Sequence, residues 1–369
     1  MQIPFLSFDA PTAQIREECH QVLHAFLENK QYVLGPLTTR FEEEYAAFCG
    51  AAHCVGLSNG LDALQLSLRV AGIGAGDEVV VASNAYIAAH LAITHAGAVP
   101  VLVEPDPLTC NLDPRGVEAA VTPRTRAILP VHLYGQACEM VPIMRIAEKY
   151  GLTVIEDNAQ AQGASCAGIM TGAWGHINAT SFYPTKNLGA LGEAGAVTTQ
   201  SAERAAAART LRNYGSAVRY YTETEGFNWR IDELQAGFLS VKLRYLNAWI
   251  AEKQTLAARY LSQLAGIAEL QLPVTAPGVT HTYHLFVVQT PRRDALQDFL
   301  KKAGIGTLIH YPVPPHLQKA YIGKLPYPPG SLPVAEQLAA SCLSLPLYNG
   351  MTFAQTDYIC EKISEFFHG

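Results

Sequence analysis

The chain has 369 residues, which is long enough for a large hydrophobic core and two domains. Hydrophobic residues make up 49% and charged residues 16% of the sequence, a composition typical of globular proteins and not of disordered ones. The net charge is −6 at pH 7, and no basic stripe is present. Nucleic acid is therefore not an expected partner.

The N-terminal residues, Met-Gln-Ile-Pro-Phe, do not form the basic and apolar regions of an export signal. No apolar stretch is long enough for a membrane-spanning helix, so we expect a soluble, cytoplasmic protein with no membrane partner. The eight cysteines form neither a CxxC pair nor a zinc-like spacing with histidines. In a chain of this length we expect neither a disulfide framework nor a bound metal.

Strand-like and helix-like segments alternate between residues 55 and 200. This alternation predicts an α/β fold with a mainly parallel sheet between layers of helices. Segments 79–81 and 99–103 lack polar alternation, as expected of strands buried on both faces. Ligands of such sheets bind beyond the carboxyl ends of the strands. The predicted strands are 78–82, 99–103, 127–131, 153–155, 179–182 and 195–198, and the predicted helices among them are 61–70, 85–95 and 141–149.

The C-terminal third has a different pattern, which predicts a smaller α+β domain. We therefore predict a large domain over residues 1–245 and a smaller domain over residues 246–369. The elements that lead to this division are a long helix from about 232 through 249 or beyond, a strand at 284–289, a helix at 293–302 and a Pro-rich stretch at 311–315.

A carboxylate and a lysine each follow a predicted strand. Asp157 ends one strand, although it could equally be the N-cap of a helix over 158–162. Lys186 follows the next strand among apolar, small and turn-forming neighbours. A lysine in such a partly desolvated place loses proton affinity, and its neutral amine can form a Schiff base. If the two side chains meet at one sheet edge, they suit a pyridine cofactor with an imine at one end and a carboxylate at the ring nitrogen.

The segment 57–64 contains a tight glycine turn that leads into a helix. Backbone amides at a helix N-terminus form an anion site, although most such turns merely start helices. The turn gains weight from its place upstream of Asp157 and Lys186, in the order that a phosphate-bearing cofactor would require.

Nine segments spread over nearly the full length carry a family resemblance: YVLGP at 32–36 with Phe41-Glu42, SNGLDAL at 58–64, NAYIA at 84–88, PVHLYG at 130–135, EDNAQ at 156–160, SFYPTK at 181–186, GFNWRI at 226–231, HTYH at 281–284 and LSLP at 343–346. Any one of them is modest evidence, whereas the ordered set is specific. The chain resembles the DegT/DnrJ/EryC1/StrS sugar aminotransferases, which are fold-type I enzymes that use pyridoxal 5′-phosphate (PLP). The resemblance implies that the large domain binds this cofactor.

The resemblance also implies roles around the cofactor ring. Lys186 would bind the cofactor covalently and then carry the proton between substrate and cofactor carbons. Asp157 would keep the pyridine nitrogen protonated, and Gln160 would hydrogen-bond the phenolic oxygen. Tyr86 would stack on the ring, although the alternative of a core aromatic residue after a strand stays open.

Four further residues are implied at the phosphate. Ser181 and the backbone amides of Gly60 and Leu61 would bind it, and Asn228 would reach it from the neighbouring subunit. The resemblance therefore implies an obligate homodimer with shared active sites. Many family members have Thr where this chain has Leu61, so a hydroxyl contact is lost there and only the amide contact remains.

The implied reaction is amino transfer from L-glutamate to a keto group of a dTDP-linked deoxysugar. Family members that act at C4 commonly have His where this chain has Tyr183, and segments 84–88, 100–106 and 310–316 resemble C3 members. The expected conversion is dTDP-3-keto-6-deoxyhexose to dTDP-3-amino-3,6-dideoxyhexose, with Tyr183, His310 and Tyr311 contacting the sugar or its phosphate. His310 and Tyr311 could instead be structural residues of the smaller domain.

Several alternatives stay open beside this interpretation. The chain could aminate a C4 keto-sugar or a cyclitol, or it could be a non-catalytic binding or regulatory protein that retains the fold. A deoxygenating relative is disfavoured because those members replace the lysine with histidine, and a Rossmann dinucleotide site is disfavoured because no GxGxxG follows the first strand. Sugar configuration, nucleotide and pathway, whether O-antigen, surface-layer glycan or antibiotic, are left undecided.

Overall fold

The computed structural model describes residues 1–368. Its α-helices are α1 Asp9–Asn29, α2 Pro36–Cys49, α3 Gly60–Val70, α4 Ile87–His95, α5 Pro114–Ala119, α6 Met140–Tyr150, α7 Ala202–Leu211, α8 Glu233–Leu243, α9 Leu246–Gln263, α10 Arg293–Lys302, α11 Pro333–Ser341 and α12 Phe353–His368. Its strands are β1 His53–Leu57, β2 Glu78–Ala82, β3 Val99–Val103, β4 Thr125–Leu129, β5 Thr153–Asp157, β6 Ser165–Cys166, β7 Ile169–Met170, β8 Ile177–Ser181, β9 Gly195–Thr199, β10 Phe286–Gln289 and β11 Cys342–Leu345.

A seven-stranded sheet forms the centre of the molecule, in the order β1-β9-β8-β5-β4-β2-β3. The pairs from β3 through β8 are parallel, whereas β9 runs antiparallel to both β8 and β1. All residues of β2 are buried, which explains its apolar run 79–81 without polar alternation. Strand β3 lies at the sheet edge, where Val99 is exposed and Val101 half-buried, so the expectation that 99–103 is buried on both faces is wrong. The predicted α/β fold with a mainly parallel sheet is confirmed.

Helices pack on this sheet and complete its core. Helix α3 contacts β8 and β9, and α6 contacts β4 and β5. Helix α2 packs against α8, where the fully buried Glu233 carboxylate accepts hydrogen bonds from the amides of Gly35, Leu37 and Thr38 and from the Thr38 hydroxyl. These amides belong to the first turn of α2, which has no intrahelical acceptors for them. Glu233 therefore caps one helix from another.

The long helix predicted from residue 232 is in fact two helices, α8 and α9, so that prediction is wrong. Between them the amides of Arg244 and Tyr245 bond to the carbonyls of Val241 and Lys242, three residues back instead of four. This tighter turn ends α8, while the apolar pattern continues through it. Strand β1 was not predicted, although it forms one edge of the sheet.

A second, smaller core lies around the antiparallel pair β10–β11 and includes residues of α9, α10 and α12. Ile3 belongs to this core and forms a parallel bridge with Ile305. The start of the chain therefore packs with its C-terminal third. The division into domains at residue 245 stays a prediction, and residue 369 lies outside the described residues.

Three observations concern the described part of the chain as a whole. None of its helices combines the length and apolar character needed to cross a bilayer. Residues 1–368 contain no group of three or more His, Cys, Asp or Glu side chains arranged to hold a metal ion. All eight cysteines are buried as free thiols.

Candidate active site

Lys186 lies in a turn directly after β8, at the carboxyl edge of the sheet. Phe182 fixes the end of the strand, because its buried ring packs edge-on against Phe41 and Tyr45 with centroid distances of 5.3 and 5.1 Å. The amide of Lys186 then donates to the carbonyl oxygen of Tyr183 at 2.8 Å. The turn therefore presents the lysine beyond the strand end, where ligands of such sheets bind.

Asp157 is the last residue of β5 and is 6% exposed. Its Oδ1 accepts a hydrogen bond from the amide of Ala159 at 3.0 Å, which closes a turn. No helix follows over residues 158–162, so the alternative of a helix N-cap is wrong. Burial raises the pKa of Asp157, while the Ala159 amide, Lys186 and His132 oppose the rise.

Lys186 and Asp157 come together because β5 and β8 are adjacent parallel strands, in a register that pairs Asp157 with Ala179. Burial lowers the pKa of Lys186 from its ordinary value of 10.5 to about 8, and the nearby Asp157 carboxylate partly opposes this. The amine is therefore partly free of its proton near neutral pH, which makes it a nucleophile. The sheet thus brings together the two residues that the sequence singled out.

The predicted phosphate site lies where the N-terminus of α3 meets the ends of β8 and β9. The side chain of Asn59 caps this helix. A Cβ on Gly60 would lie 2.4 Å from the Cβ of Ser181, and one on Gly195 would lie 2.4 Å from the carbonyl oxygen of Asn59. Only glycine permits this approach, which brings the amides of Gly60 and Leu61 beside the Ser181 hydroxyl. The arrangement suits a phosphate.

Gln160 is held between the large sheet and the C-terminal third of the chain. Its Oε1 accepts a hydrogen bond from the amide of Tyr134 at 2.7 Å, and its Nε2 donates to the hydroxyl of Tyr311 at 3.1 Å. Tyr311 also packs against Tyr86, with ring centroids 5.0 Å apart. Tyr311, which the resemblance assigns to the sugar or its phosphate, therefore also holds the side chain of Gln160.

Tyr86 and Tyr183 are 46% and 48% exposed. Tyr86 is the residue before α4, and its exposure excludes the alternative of a core aromatic residue. His310 is bonded through Nδ1 to the hydroxyl of Ser344 at 2.8 Å. Burial, together with the charge of Lys186, lowers the pKa of His310 to about 4, so its ring is neutral near pH 7.

Asn228 is exposed, and the carbonyl of the next residue, Trp229, accepts a hydrogen bond from the amide of Ser58 at 3.1 Å, just before the N-terminus of α3. Asn228 forms a backbone bridge with Asn213, and the following residues return to the end of β1, where Arg230 pairs with Leu57. The Arg230 guanidinium donates to Asn213 Oδ1 at 2.9 Å and lies over the ring of Tyr214. Within residues 1–368, Asn228 forms no hydrogen bond with Lys186 or Asp157.

His132 was not assigned a role from sequence, although it lies in one of the quoted segments. It is fully buried, its Nε2 is 2.8 Å from Glu156 Oε2, and its backbone amide donates to the carbonyl of Asp157. Burial alone would lower the pKa of His132, but contacts with Cys138 and Glu156 raise it to about 10. A buried histidine that pairs with a carboxylate 24 positions away has no local sequence signal.

A cavity of about 650 Å³ lies elsewhere and does not belong to this site. It is lined by residues such as Met144, Trp174, His176 and Arg204 and reaches Thr153, the first residue of β5. Asp157 is at the other end of the same strand. This cavity therefore opens at the opposite sheet edge from Lys186.

The residues at the carboxyl edge fit PLP. A nucleophilic amine, a buried carboxylate and a helix N-terminus freed of side chains by Gly60 and Gly195 match the aldehyde, the ring nitrogen and the phosphate of the cofactor. Gln160 adds an amide group held from two sides. These features lie at one sheet edge, as a single bound molecule requires.

Comparisons with known proteins agree with this geometry. The chain is 49% identical over 365 residues to dTDP-3-amino-3,4,6-trideoxy-alpha-D-glucose transaminase of Streptomyces venezuelae, covering 99% of this chain and 96% of that protein. It is 45% identical over 364 residues to dTDP-3-amino-3,6-dideoxy-alpha-D-galactopyranose transaminase of Aneurinibacillus thermoaerophilus, covering 99% of each. The crystal structure of S. venezuelae DesV superimposes with a TM-score of 0.98 at 47% identity, covering 100% of this chain and 99% of DesV.

The family model of the DegT/DnrJ/EryC1/StrS aminotransferases matches residues 13–364. That range contains the sheet, the Lys186 turn and the C-terminal third up to α12. The chain therefore belongs to the DegT/DnrJ/EryC1/StrS aminotransferase family and is a PLP-dependent aminotransferase.

Proposed function

We propose that the protein transfers an amino group from L-glutamate to the C3 keto group of a dTDP-linked 6-deoxyhexose, releasing 2-oxoglutarate and the 3-amino sugar. The observation that carries the proposal is Lys186, whose pKa is lowered to about 8 by burial, beside the buried Asp157. The two similar transaminases named above both form 3-amino sugars linked to dTDP. This similarity supports dTDP as the nucleotide of the substrate and C3 as the carbon that receives the amino group.

The residues divide the chemistry as follows. When bound, PLP accepts the electron pair of the broken C–H bond. Lys186 would hold the cofactor covalently and would then move the proton between the substrate carbon and the cofactor carbon. Asp157 holds the proton on the pyridine nitrogen, and the Gly60 and Leu61 amides with Ser181 anchor the phosphate. Gln160 donates to the phenolic oxygen.

The sugar binds on the side where Tyr183, His310 and Tyr311 lie. Tyr183 is accessible from solvent, and His310 lies close enough to Lys186 that the lysine charge helps to lower the pKa of the histidine. Because Nδ1 of the neutral His310 ring is bonded to Ser344, its Nε2 is the ring nitrogen left to form a hydrogen bond with a sugar hydroxyl. These three residues therefore set the orientation of the keto-sugar.

A homodimer completes each site. Asn228 is exposed, and the neighbouring segment carries the exposed side chains of Tyr214, Val218, Tyr220 and Tyr221. Exposed aromatic and apolar groups in one segment are typical of a surface that a partner covers. Across this interface Asn228 reaches the phosphate of the neighbouring subunit.

The proposal is tested by the visible spectrum before and after addition of L-glutamate, with Lys186→Ala as the control. We expect the wild-type protein to be yellow, to lose its colour on addition of glutamate and to release 2-oxoglutarate. The Lys186→Ala variant should neither lose colour with glutamate nor release 2-oxoglutarate. The keto-sugar is then supplied, and the position of the new amino group is determined by NMR. Colourless protein that takes up no added PLP would support a binding protein instead, and an amino group at C4 would overturn the C3 assignment.

A further inference from the structure

Two buried lysines lie behind the turn that carries Lys186. Lys242 on α8 donates from Nζ to the carbonyl oxygen of Gly189 at 2.5 Å. Lys253 on α9 donates from Nζ to the side-chain oxygen of Asn187. With Lys186 they line a cavity of about 70 Å³. Two amines from two helices therefore contact the segment that directly follows Lys186, at Asn187 and at Gly189.

These two lysines are unusual because neither forms an ion pair with a carboxylate within residues 1–368. Lys242 is 8% and Lys253 6% exposed. Burying an amine without an opposite charge is unfavourable, and an apolar residue of similar size would avoid that cost. Consistent with this environment, burial lowers the pKa of Lys253 to about 7 and that of Lys242 to about 8. What the two lysines contribute, and an apolar residue could not, are the hydrogen bonds to Gly189 and Asn187.

The contact of Lys253 continues into a chain of hydrogen bonds. Asn187 Nδ2 donates to Thr282 Oγ1 at 2.8 Å, and Thr282 Oγ1 donates to the carbonyl of Gly135 at 3.1 Å. Asn187 and Thr282 are both buried. The side chain of Asn187 is thus held on its oxygen by α9 and on its nitrogen by Thr282, so its backbone, which adjoins Lys186, has little freedom.

We propose that Lys253 and Lys242 are positioning residues that fix the segment from residue 186 to residue 189 and thereby orient the amine of Lys186. This inference rests on the proposed function, in which that amine attacks the cofactor and later moves a proton. Both steps depend on placement, since a displacement of about 1 Å can slow such a reaction on the order of a hundredfold. Neither lysine touches the reacting atoms in this role.

The test compares Lys253→Met with the wild type and with Lys302→Met, which removes an exposed lysine of α10. The first readout is the rate at which cofactor-free protein attaches added PLP, followed by absorbance. The second is the single-turnover rate with saturating glutamate, and the third is the melting temperature. We expect Lys253→Met to slow the first two on the order of tenfold or more, with full final occupancy, and Lys302→Met to match the wild type.

A variant that attaches PLP and reacts at wild-type rates overturns the inference, and so does one whose only change is a lower melting temperature. If Lys253→Met does not fold, Asn187→Ala breaks the same contact at its other end, and Lys242→Met tests the second contact. In a double-mutant cycle, the rate effects of Lys253→Met and Asn187→Ala must be less than additive, because each removes one shared hydrogen bond. Fully additive rate effects would show that Lys253 and Asn187 do not act through their shared hydrogen bond.

The outcome separates this inference from the proposed function. If the wild type attaches no PLP at Lys186, the proposed function fails, whatever Lys253→Met does. If both proteins attach PLP at Lys186 and react equally fast, the proposed function stands and the positioning role fails.

Discussion

At the scale of single residues, the environment of Lys186 decides how the site behaves with pH. The amine must be free of its proton to attack the cofactor, and burial lowers its pKa from 10.5 to about 8. A depressed lysine pKa means that the reactive form is half populated near pH 8. An ordinary lysine with a pKa of 10.5 would be only about 0.3% reactive there.

We therefore predict that the rate of PLP attachment to cofactor-free protein rises with pH and levels off above about pH 8. The measurement is stopped-flow absorbance across a pH series, with Nα-acetyl-lysine as the reference amine. The rate of the reference should continue to rise past pH 10. A protein profile that follows the reference would mean that Lys186 is solvated like a surface lysine.

The sequence indicated several residues of the site because their signals are local. Lys186 and Asp157 follow buried strands, and glycine at position 60 opens a helix, so adjacent residues alone suggest their places. His132 and Lys253 were missed for the opposite reason. Their partners, Glu156 and Asn187, lie 24 and 66 positions away in the sequence and become neighbours only through packing.

At the scale of elements, the capping of α2 by Glu233 makes a stability prediction. Glu233→Ala would leave two buried amides, the half-buried amide of Leu37 and the Thr38 hydroxyl without their acceptor. Unsatisfied buried donors cost about 1–3 kcal/mol each, and relaxation and water entry reduce the sum. We therefore expect a loss of about 3 kcal/mol in the free energy of unfolding.

Urea unfolding at matched protein concentration measures this effect. The control is Glu203→Ala, which removes an exposed glutamate from the first turn of α7. That change should cost less than about 1 kcal/mol, because only the helix dipole is affected at an exposed site. Equal effects of the two substitutions on the free energy of unfolding would show that the buried cap stabilises the fold no more than an exposed glutamate does.

Element boundaries were predictable where burial and pattern coincide. Strands β2 and β3 and helix α10 match the predicted bounds, because each is an unbroken run of one pattern. The break between α8 and α9 was not predictable, since apolar residues recur at helical spacing through it. There the tighter turn at Arg244 and Tyr245, and not the pattern, ends the helix.

At the scale of the whole molecule, shared active sites predict complementation between two defective variants. Lys186→Ala removes the covalent attachment from its own site, whereas Asn228→Ala removes the phosphate contact from the partner's site. In a mixed dimer, one site carries both defects and the other carries neither. Refolding the two variants together should therefore recover activity, with about a quarter of the wild-type level if subunits mix at random.

The measurement is glutamate-dependent release of 2-oxoglutarate, with each variant refolded alone as the control. Recovery in the mixture supports a homodimer in which Asn228 acts across the interface. If the mixture has only the average activity of the separate variants, each site is built from one chain and the proposed exchange of Asn228 is wrong.

The proposed chemistry depends above all on Lys186 as the residue that binds PLP covalently. Its most direct test is to load the protein with PLP, reduce it with sodium borohydride, digest it and locate the added mass by mass spectrometry. We predict that the label lies on the peptide containing Lys186 and is absent from Lys186→Ala. A label on Lys242 or Lys253 instead, or no label on a fully folded protein, would show that Lys186 does not hold the cofactor.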